Sequence, residues 1–147
     1  MIRHKVAIGL LIAMYALPSS LGAAEQYLCV TEQASGFQYD APRKAWRHAS
    51  FNVDRKYIVA LSREPGYAYQ VTMLGKTSPL GLCQEDFDAV GLLSCNVFMG
   101  HFKFNKHSGR FIYSYVYGYY NITPNNTSDE TEGDDTPNLQ IGRCSPF

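Results

Sequence analysis

The sequence lacks the short motifs by which several large enzyme classes are recognised. It contains no GxSxG nucleophile turn, no HExxH zinc motif and no glycine-rich phosphate loop. Beyond the N-terminal apolar run, Val6–Leu17, the histidines are His48, His101 and His107. None has a neighbouring nucleophile and acid that would suggest a catalytic triad. The sequence therefore predicts a protein that is not an enzyme and that needs no cofactor.

An excess of one charge is also missing. The chain has 13 basic and 13 acidic residues, and the basic residues Arg43, Lys44 and Arg47 are too few to form a nucleic-acid-binding patch. Sustained helical periodicity is absent beyond the N-terminal apolar run. We therefore exclude nucleic acid as a partner and expect a fold built from strands.

The longest apolar run is too short to cross a membrane. Val6–Leu17 falls well below the roughly 20 residues that a hydrocarbon core of about 30 Å requires. It follows two basic residues and precedes the small residues Gly22-Ala23-Ala24, an arrangement typical of a secretory signal peptide. The sequence predicts a signal peptide over 1–24, no membrane span after cleavage, and a single domain over 25–147 in the periplasm or outside the cell.

Four cysteines, Cys29, Cys83, Cys95 and Cys144, fall within the predicted mature chain. No CxxC or HxxxH spacing accompanies them, and an even number of cysteines in a small exported domain indicates disulfides rather than zinc. Of the three pairings open to four cysteines, we favour Cys29–Cys144 and Cys83–Cys95. The first joins the two ends of the chain, which lie side by side in an antiparallel barrel, and the second joins sequence neighbours.

Alternation of polar and apolar residues, interrupted by turn signals, runs through the mature sequence. The β-rich segments are 26–31, 36–40, 46–53, 57–61, 67–74 and 138–144, besides the long stretch described next. This pattern predicts an all-β fold, a small antiparallel β-barrel or sandwich of about seven to nine strands with two disulfides.

The most strongly β-like stretch runs from Cys95 to Ile122. We expect it to supply the two longest strands of the barrel, joined by the polar turn Asn105–Gly109, whose glycine can adopt a positive φ. Period two places three phenylalanines on one face of the first strand, and we assign that face to the interior: Phe98, Phe102 and Phe104.

The second strand of this stretch carries a row of tyrosines on one face: Tyr113, Tyr115, Tyr117 and Tyr119. Tyrosine is favoured at interfaces, so the row is a candidate surface for a protein or carbohydrate partner. Alternatively, the rings pair with neighbouring strands inside the fold, which would add about 0.2–1 kcal/mol per pair. The sequence leaves both interpretations open.

The segment 123–137 is polar and acidic with almost no apolar side chains, which predicts a mobile loop. Within it, Asp129–Asp135 carries several carboxylates but lacks the regular spacing of a calcium-binding loop. We therefore predict a solvated acidic loop and no metal site.

Four stretches resemble a group of small exported bacterial proteins of uncharacterised function. They are YLCVTEQASGFQYD from Tyr27, FNVDRKYIV from Phe51, FKFNKHSGRF from Phe102 and NLQIGRCSPF from Asn138. The resemblance covers most of the mature chain. It implies an exported bacterial protein, and it implies no activity, ligand or catalytic residue.

A second resemblance is to the periplasmic inhibitors of C-type lysozyme, which are small disulfide-bearing β-barrels. Tyr27-Leu28-Cys29 is similar to their opening strand, and Ser108-Gly109-Arg110-Phe111 is similar to their Ser-Gly loop. Their later lysine-containing loop has no counterpart, because the acidic Asp129–Asp135 occupies that region. This resemblance implies inhibition of a cell-wall-degrading enzyme.

Taken together, these features predict an exported, non-enzymatic β-domain that binds an unknown protein or carbohydrate. Inhibition of a cell-wall-degrading enzyme and a structural role in the cell envelope are the alternatives.

Overall fold

The computed structural model describes residues 26–117, 119 and 136–147. The predicted signal peptide at 1–24 lies outside these residues, as do residues 123–135 of the predicted acidic loop. Nearly all of the regular structure is β: β1 (Tyr27–Asp40), β2 (Ala45–Ser50), β3 (Lys56–Leu61), β4 (Tyr69–Met73), β5 (Gly81–Cys83), β6 (Leu92–Val97), β7 (Gly100–Asn105), β8 (Arg110–Tyr115) and β9 (Asn138–Pro146).

Eight of these strands close into an antiparallel barrel. Each strand from β3 to β8 pairs with the strand that follows it in sequence. Strand β1 completes the ring by pairing with β3 on one side and β9 on the other. Closure satisfies the backbone groups that an open sheet would leave unpaired at its edges. The predicted all-β barrel is thereby confirmed, with β2 as one additional strand.

Strand β1 is long enough to pair with three neighbours. Residues 27–30 pair with β3, and residues 35–40 pair with β2. A register shift between Thr31 and Gln33 marks a bulge opposite β9, and a bulge bends its strand. Pairing with β9 ends at Gly36, so residues 37–40 of β1 project beyond the barrel and form a two-stranded hairpin with β2. The sequence pattern predicted two separate strands, 26–31 and 36–40, where the structure has the single strand β1.

Both predicted disulfides are present, and their pairing is confirmed. Cys29 of β1 lies directly opposite Cys144 of β9, and the bond links residues 115 positions apart. Cys83 and Cys95 join the neighbouring strands β5 and β6 across a separation of 12 residues. The expectation that the first and last strands of the barrel lie side by side is therefore correct.

Aromatic rings fill much of the barrel interior. Tyr57, Phe102 and Phe104 are among the largest fully buried side chains. Tyr57 meets the rings of Phe102 and Phe111 edge-on at 5.7 and 5.8 Å, and those two phenylalanines stack at 5.2 Å. Each such buried ring contributes roughly 1.5–3 kcal/mol through apolar burial, so a chain of this length can build its core from few side chains.

Rings also cover one end of the barrel. Phe87, in the loop between β5 and β6, packs edge-on against Tyr27, Tyr69 and Phe104 at 5.9, 5.1 and 5.7 Å between centroids. The ammonium of Lys106 lies 4.7 Å from the centroid of the Phe87 ring, a favourable cation–π arrangement. We call this set of four rings the closed end.

The prediction for Cys95–Ile122 is partly wrong. The polar turn lies between β7 and β8 as expected, with Gly109 at φ 65°. However, the first half reverses at Phe98–Met99 and forms two strands, β6 and β7. Phe98, which we assigned to the interior, is 69% exposed. The longest strands are instead β1 with 14 residues and β9 with 9.

The reversal has a local cause that a period of two does not reveal. Val97 pairs with Gly100, so only two residues form the turn, and Met99 adopts φ 56°. A Cβ at Gly100 would overlap the carbonyl oxygen of Ser114, so β7 can begin against β8 only with glycine at this position. Because the turn uses two residues, Val97 and Phe102 both face the interior while Phe98 points outward.

Candidate functional site

The structure divides the predicted tyrosine row between the core and the surface. Tyr113 is buried, with its ring 5.7 Å from that of Tyr57. Tyr115 and Tyr117 are half-buried and contact each other at 6.5 Å, and Tyr119 is 62% exposed. The row therefore does not form a single exposed face. A partner-binding role for these tyrosines stays a prediction, and Tyr119 is the member best placed to serve it.

Tyr119 adjoins an aromatic surface on the projecting hairpin. The register pairs Tyr39 with Trp46, and Phe37 with His48, so these four side chains share one face of the hairpin. The indole of Trp46 lies 5.6 Å from the ring of Tyr39 and 5.5 Å from that of Tyr119. We call Phe37, Tyr39, Trp46 and Tyr119 the aromatic face.

The opposite face of the hairpin is charged. Asp40 accepts hydrogen bonds from the guanidinium groups of Arg43 at 2.7 Å and Arg47 at 3.2 Å. The pKa of the Asp40 carboxyl lies below its usual value, chiefly because Arg43 donates this hydrogen bond. Asp40 also caps the short 3₁₀ turn Ala41–Arg43 by accepting from the Arg43 backbone N–H. These contacts on the charged face stabilise the turn at the hairpin tip.

Apolar side chains on the outer wall continue the aromatic face onto the barrel. Leu139 and Ile141 of β9 point outward and are 44% and 41% exposed. Leu139 lies opposite Ser35 in the register, and Phe37 follows Ser35 on the same face of β1. An apolar strip therefore runs from the barrel wall to the hairpin.

Sequence reasoning did not assign a role to Phe37, Tyr39 or Trp46. The signal was the alternation of aromatic residues on both sides of the Ala41-Pro42 turn, which places them on one face when the two segments pair. It was missed because the segments were treated as independent strands.

The end of the barrel opposite the closed end has a polar floor. Gln140 and Thr31 are both only 3% exposed. The Gln140 Oε1 atom accepts hydrogen bonds from the Tyr57 hydroxyl at 2.7 Å and from the Thr31 hydroxyl at 3.4 Å. The Gln140 Nε2 atom donates to Asn138 Oδ1 at 3.1 Å. A buried amide is therefore anchored at both of its polar atoms.

The direction of these hydrogen bonds follows from a backbone carbonyl. Asn138 Nδ2 donates to the Thr136 carbonyl oxygen at 2.9 Å, and a carbonyl can only accept. Asn138 Oδ1 is thereby left to accept from Gln140, and Gln140 Oε1 is left to accept from Tyr57 and Thr31. The carbonyl oxygens of both amides are occupied within the protein, whereas one N–H of Gln140 is not used in this chain of bonds.

Arg55 lies beside the two buried tyrosines of this floor. Burial raises the pKa of Tyr57 to about 12, while the positive charge of Arg55 opposes the rise. Burial also raises the pKa of Tyr113, and Arg55 again opposes it. Both hydroxyls are therefore protonated at neutral pH and can donate hydrogen bonds. The Arg55 carbonyl accepts from the Thr31 N–H at 3.2 Å, which ties the loop before β3 to the barrel.

A cleft of about 660 Å³ opens above this floor. Its charged lining residues are Asp54, Arg55 and Lys56, and Met73 and Leu74 at the end of β4 form an apolar wall. Asn138 and Gln140 reach it from β9. The volume lies within the range of about 300–1,000 Å³ found for small-molecule sites. We call this cleft and its floor the mouth.

The mouth was missed although the sequence held a signal for it. The apolar residues of the last strand, Leu139 and Ile141, stand at odd positions. Cys144, however, must face inward to reach Cys29, and period two then places Gly142, Gln140 and Asn138 inside as well. The predicted disulfide therefore contained the information that Gln140 is buried.

The histidines of the described chain do not come together in one site. His48, His101 and His107 are exposed and lie on three different strands or turns. Within 26–117, 119 and 136–147, no group of three His, Cys, Asp or Glu side chains is close enough to hold a metal ion. The acidic run Asp129–Asp135 lies outside the described residues.

Comparisons with family models, curated proteins and solved structures find no match to this chain. In the part of the chain that the structure describes, no helix has both the length and the apolar character needed to cross a membrane.

Proposed function

We propose that this chain is an exported, non-enzymatic binding protein that holds a protein partner against its aromatic face. The observation that carries the proposal is the exposure of Phe37, at 54%, beside Trp46 on a hairpin that projects from the barrel. Large exposed rings on a projecting hairpin are costly to leave in water and are characteristic of interaction surfaces.

The arrangement of the rings favours a protein over a carbohydrate. The ring plane of Trp46 is inclined by 58° to that of Tyr39 and by 73° to that of Tyr119. Rings at such angles offer ridges and grooves into which side chains can pack rather than one flat platform for a sugar. The adjoining apolar strip of Leu139 and Ile141 extends the same surface, as a protein interface requires.

The disulfides support export. Cys29–Cys144 and Cys83–Cys95 are compatible with a secreted or periplasmic protein, since disulfides persist in oxidising compartments. The predicted signal peptide supports the same location.

The experiment compares the capture of proteins from a bacterial periplasmic extract by three immobilised forms of the chain. Phe37→Ser removes an exposed ring from the aromatic face. Val90→Ser removes an exposed apolar side chain, 64% accessible, from the loop at the closed end. We expect a specific partner to bind the wild type and Val90→Ser and to lose at least about tenfold affinity for Phe37→Ser. Equal capture by all three forms would refute the aromatic face as the binding surface.

A second candidate function is inhibition of a cell-wall-degrading enzyme such as C-type lysozyme. The supporting observation is the turn between β7 and β8, where Asn105 Oδ1 accepts from the backbone N–H groups of His107 and Ser108, each at 3.0 Å. This turn presents the exposed Ser108 and the partly buried Gly109 on a disulfide-bonded barrel. Absence of lysozyme inhibition at micromolar protein would remove this candidate and leave the first unaffected.

A further inference from the structure

We propose that the mouth binds a small organic anion, with its carboxylate or phosphate group at Arg55 and its organic body against Met73 and Leu74. This site is distinct from the aromatic face, because it lies at the barrel end between β3, β4 and β9 rather than on the hairpin. Its ligand is of a different class from the protein partner proposed above.

The charge of the described lining favours an anion. Arg55 and Lys56 carry two positive charges against the single carboxylate of Asp54. Neither cation takes part in the ion pairs formed between described side chains, which join Arg43 and Arg47 to Asp40 and Arg143 to Glu32. A guanidinium that is not engaged by a protein carboxylate is well suited to bind a carboxylate or phosphate in a bidentate manner.

The hydrogen-bonding groups of the floor point to the same class of ligand. The oxygen atoms of Gln140 and Asn138 accept hydrogen bonds within the protein. The donors that line the cleft are the Arg55 guanidinium, the Lys56 ammonium and the second N–H of Gln140, and the side-chain acceptors beside them are those of Asn52 and Asp54. Because two of the donor groups are cations and only one lining side chain is a carboxylate, the site favours a ligand whose acceptor carries negative charge.

The remaining wall and the size of the cleft argue against a bare inorganic ion. Met73 and Leu74 line one side, and Leu74 is 50% exposed. A volume of about 660 Å³ is far larger than a phosphate ion needs. An apolar body attached to the anionic group would cover these side chains and fill the cleft.

The test uses three probes and NMR titration of the isotopically labelled chain. Benzoate combines an anion with an apolar body, benzyl alcohol keeps the body without the charge, and inorganic phosphate keeps the charge without the body. We expect benzoate to give saturable shifts at Tyr57, Arg55 and Gln140, phosphate to bind at least several-fold more weakly, and benzyl alcohol to bind most weakly. Equal affinity for benzoate and benzyl alcohol would overturn the anion assignment, and equal affinity for benzoate and phosphate would overturn the organic body.

Three variants locate the binding. Arg55→Gln should weaken benzoate about tenfold or more, because it removes a charge-assisted hydrogen bond. Lys103→Gln, on the exposed outer wall of β7, removes the same charge elsewhere and should leave benzoate binding unchanged. Leu74→Ser should weaken benzoate and leave phosphate unaffected. Equal losses in Arg55→Gln and Lys103→Gln, or shifts that never saturate with any probe, would show attraction to the whole surface and refute the site.

Discussion

The two ends of the barrel bury different kinds of side chain. The closed end is sealed by Tyr27, Tyr69, Phe87 and Phe104, whose rings contact one another edge-on. The mouth instead buries the polar side chains of Gln140 and Thr31 beneath an open cleft. Apolar burial contributes roughly 1.5–3 kcal/mol per large side chain, whereas a satisfied hydrogen bond contributes about 0.5–1.5 kcal/mol net. The comparison indicates that one end mainly stabilises the fold and the other leaves room for a ligand.

The seam between β1 and β9 connects the two ends, and breaking it should have the largest effect. We expect the double substitution Cys29→Ala, Cys144→Ala to lower the free energy of unfolding by about 4–5 kcal/mol, because this bond closes the longer loop in the unfolded chain. The Cys83–Cys95 disulfide joins residues 12 positions apart and closes the shorter loop. The matched double substitution Cys83→Ala, Cys95→Ala should therefore cost about 3 kcal/mol. Urea denaturation measures both values. A larger loss from the second pair would contradict the loop-length argument.

The next largest effect should come from the closed end. Phe104 is 1% exposed and contacts both Tyr27 and Phe87, so Phe104→Ala should cost about 3–5 kcal/mol by leaving a cavity among the rings. Met73→Ala at the wall of the mouth is the control and should cost less, since Met73 is only partly buried. Both are measured as shifts in the urea midpoint at unchanged slope. Equal losses would show that the mouth contributes to stability as much as the closed end does.

Alkaline pH should lower the free energy of unfolding through Tyr57, beneath the mouth. Because burial raises the pKa of Tyr57 from 10.0 to about 12, folded and unfolded chains hold the same proton below about pH 10, and the stabilisation is complete there. Between about pH 10 and 12 the unfolded chain releases the proton first, so the free energy of unfolding should fall by up to about 2 kcal/mol. Urea midpoints across this range test the expectation. A flat profile would show that the Tyr57 hydroxyl is not shielded from water.

The sequence predicted the disulfide pairing and part of the barrel interior. The even number of cysteines in a predicted exported chain, together with a barrel in which the ends meet, was enough to pair Cys29 with Cys144. Period two correctly placed Phe102 and Phe104 inside. The burial of these two phenylalanines follows from alternation along the strand, which holds wherever a strand is unbroken.

The features that sequence did not predict depend on contacts between strands. The turn at Phe98–Met99 depends on the close approach of Gly100 to β8, which is invisible until the two strands are paired. The aromatic face arises only when β1 and β2 form a hairpin. Arg55 is assigned to the mouth only because its loop crosses the barrel end near Tyr57 and Tyr113. Alternation predicts which residues of one strand share a face, but it does not predict which strands pair or which faces contact each other.

The smallest expected effect isolates the polar floor. Tyr57→Phe keeps the buried ring and removes the hydroxyl that donates to Gln140 Oε1, so at neutral pH it should cost about 1 kcal/mol. The same variant has no phenolic proton to release, so it should lack the part of the alkaline loss that Tyr57 causes. Its stability should therefore equal that of the wild type near about pH 11 and exceed it above. Urea midpoints of the two proteins at matched pH measure the crossing, and subtraction removes the contributions of the other tyrosines. If the two curves stay parallel, the hydrogen bond and the shifted titration do not belong to the same hydroxyl.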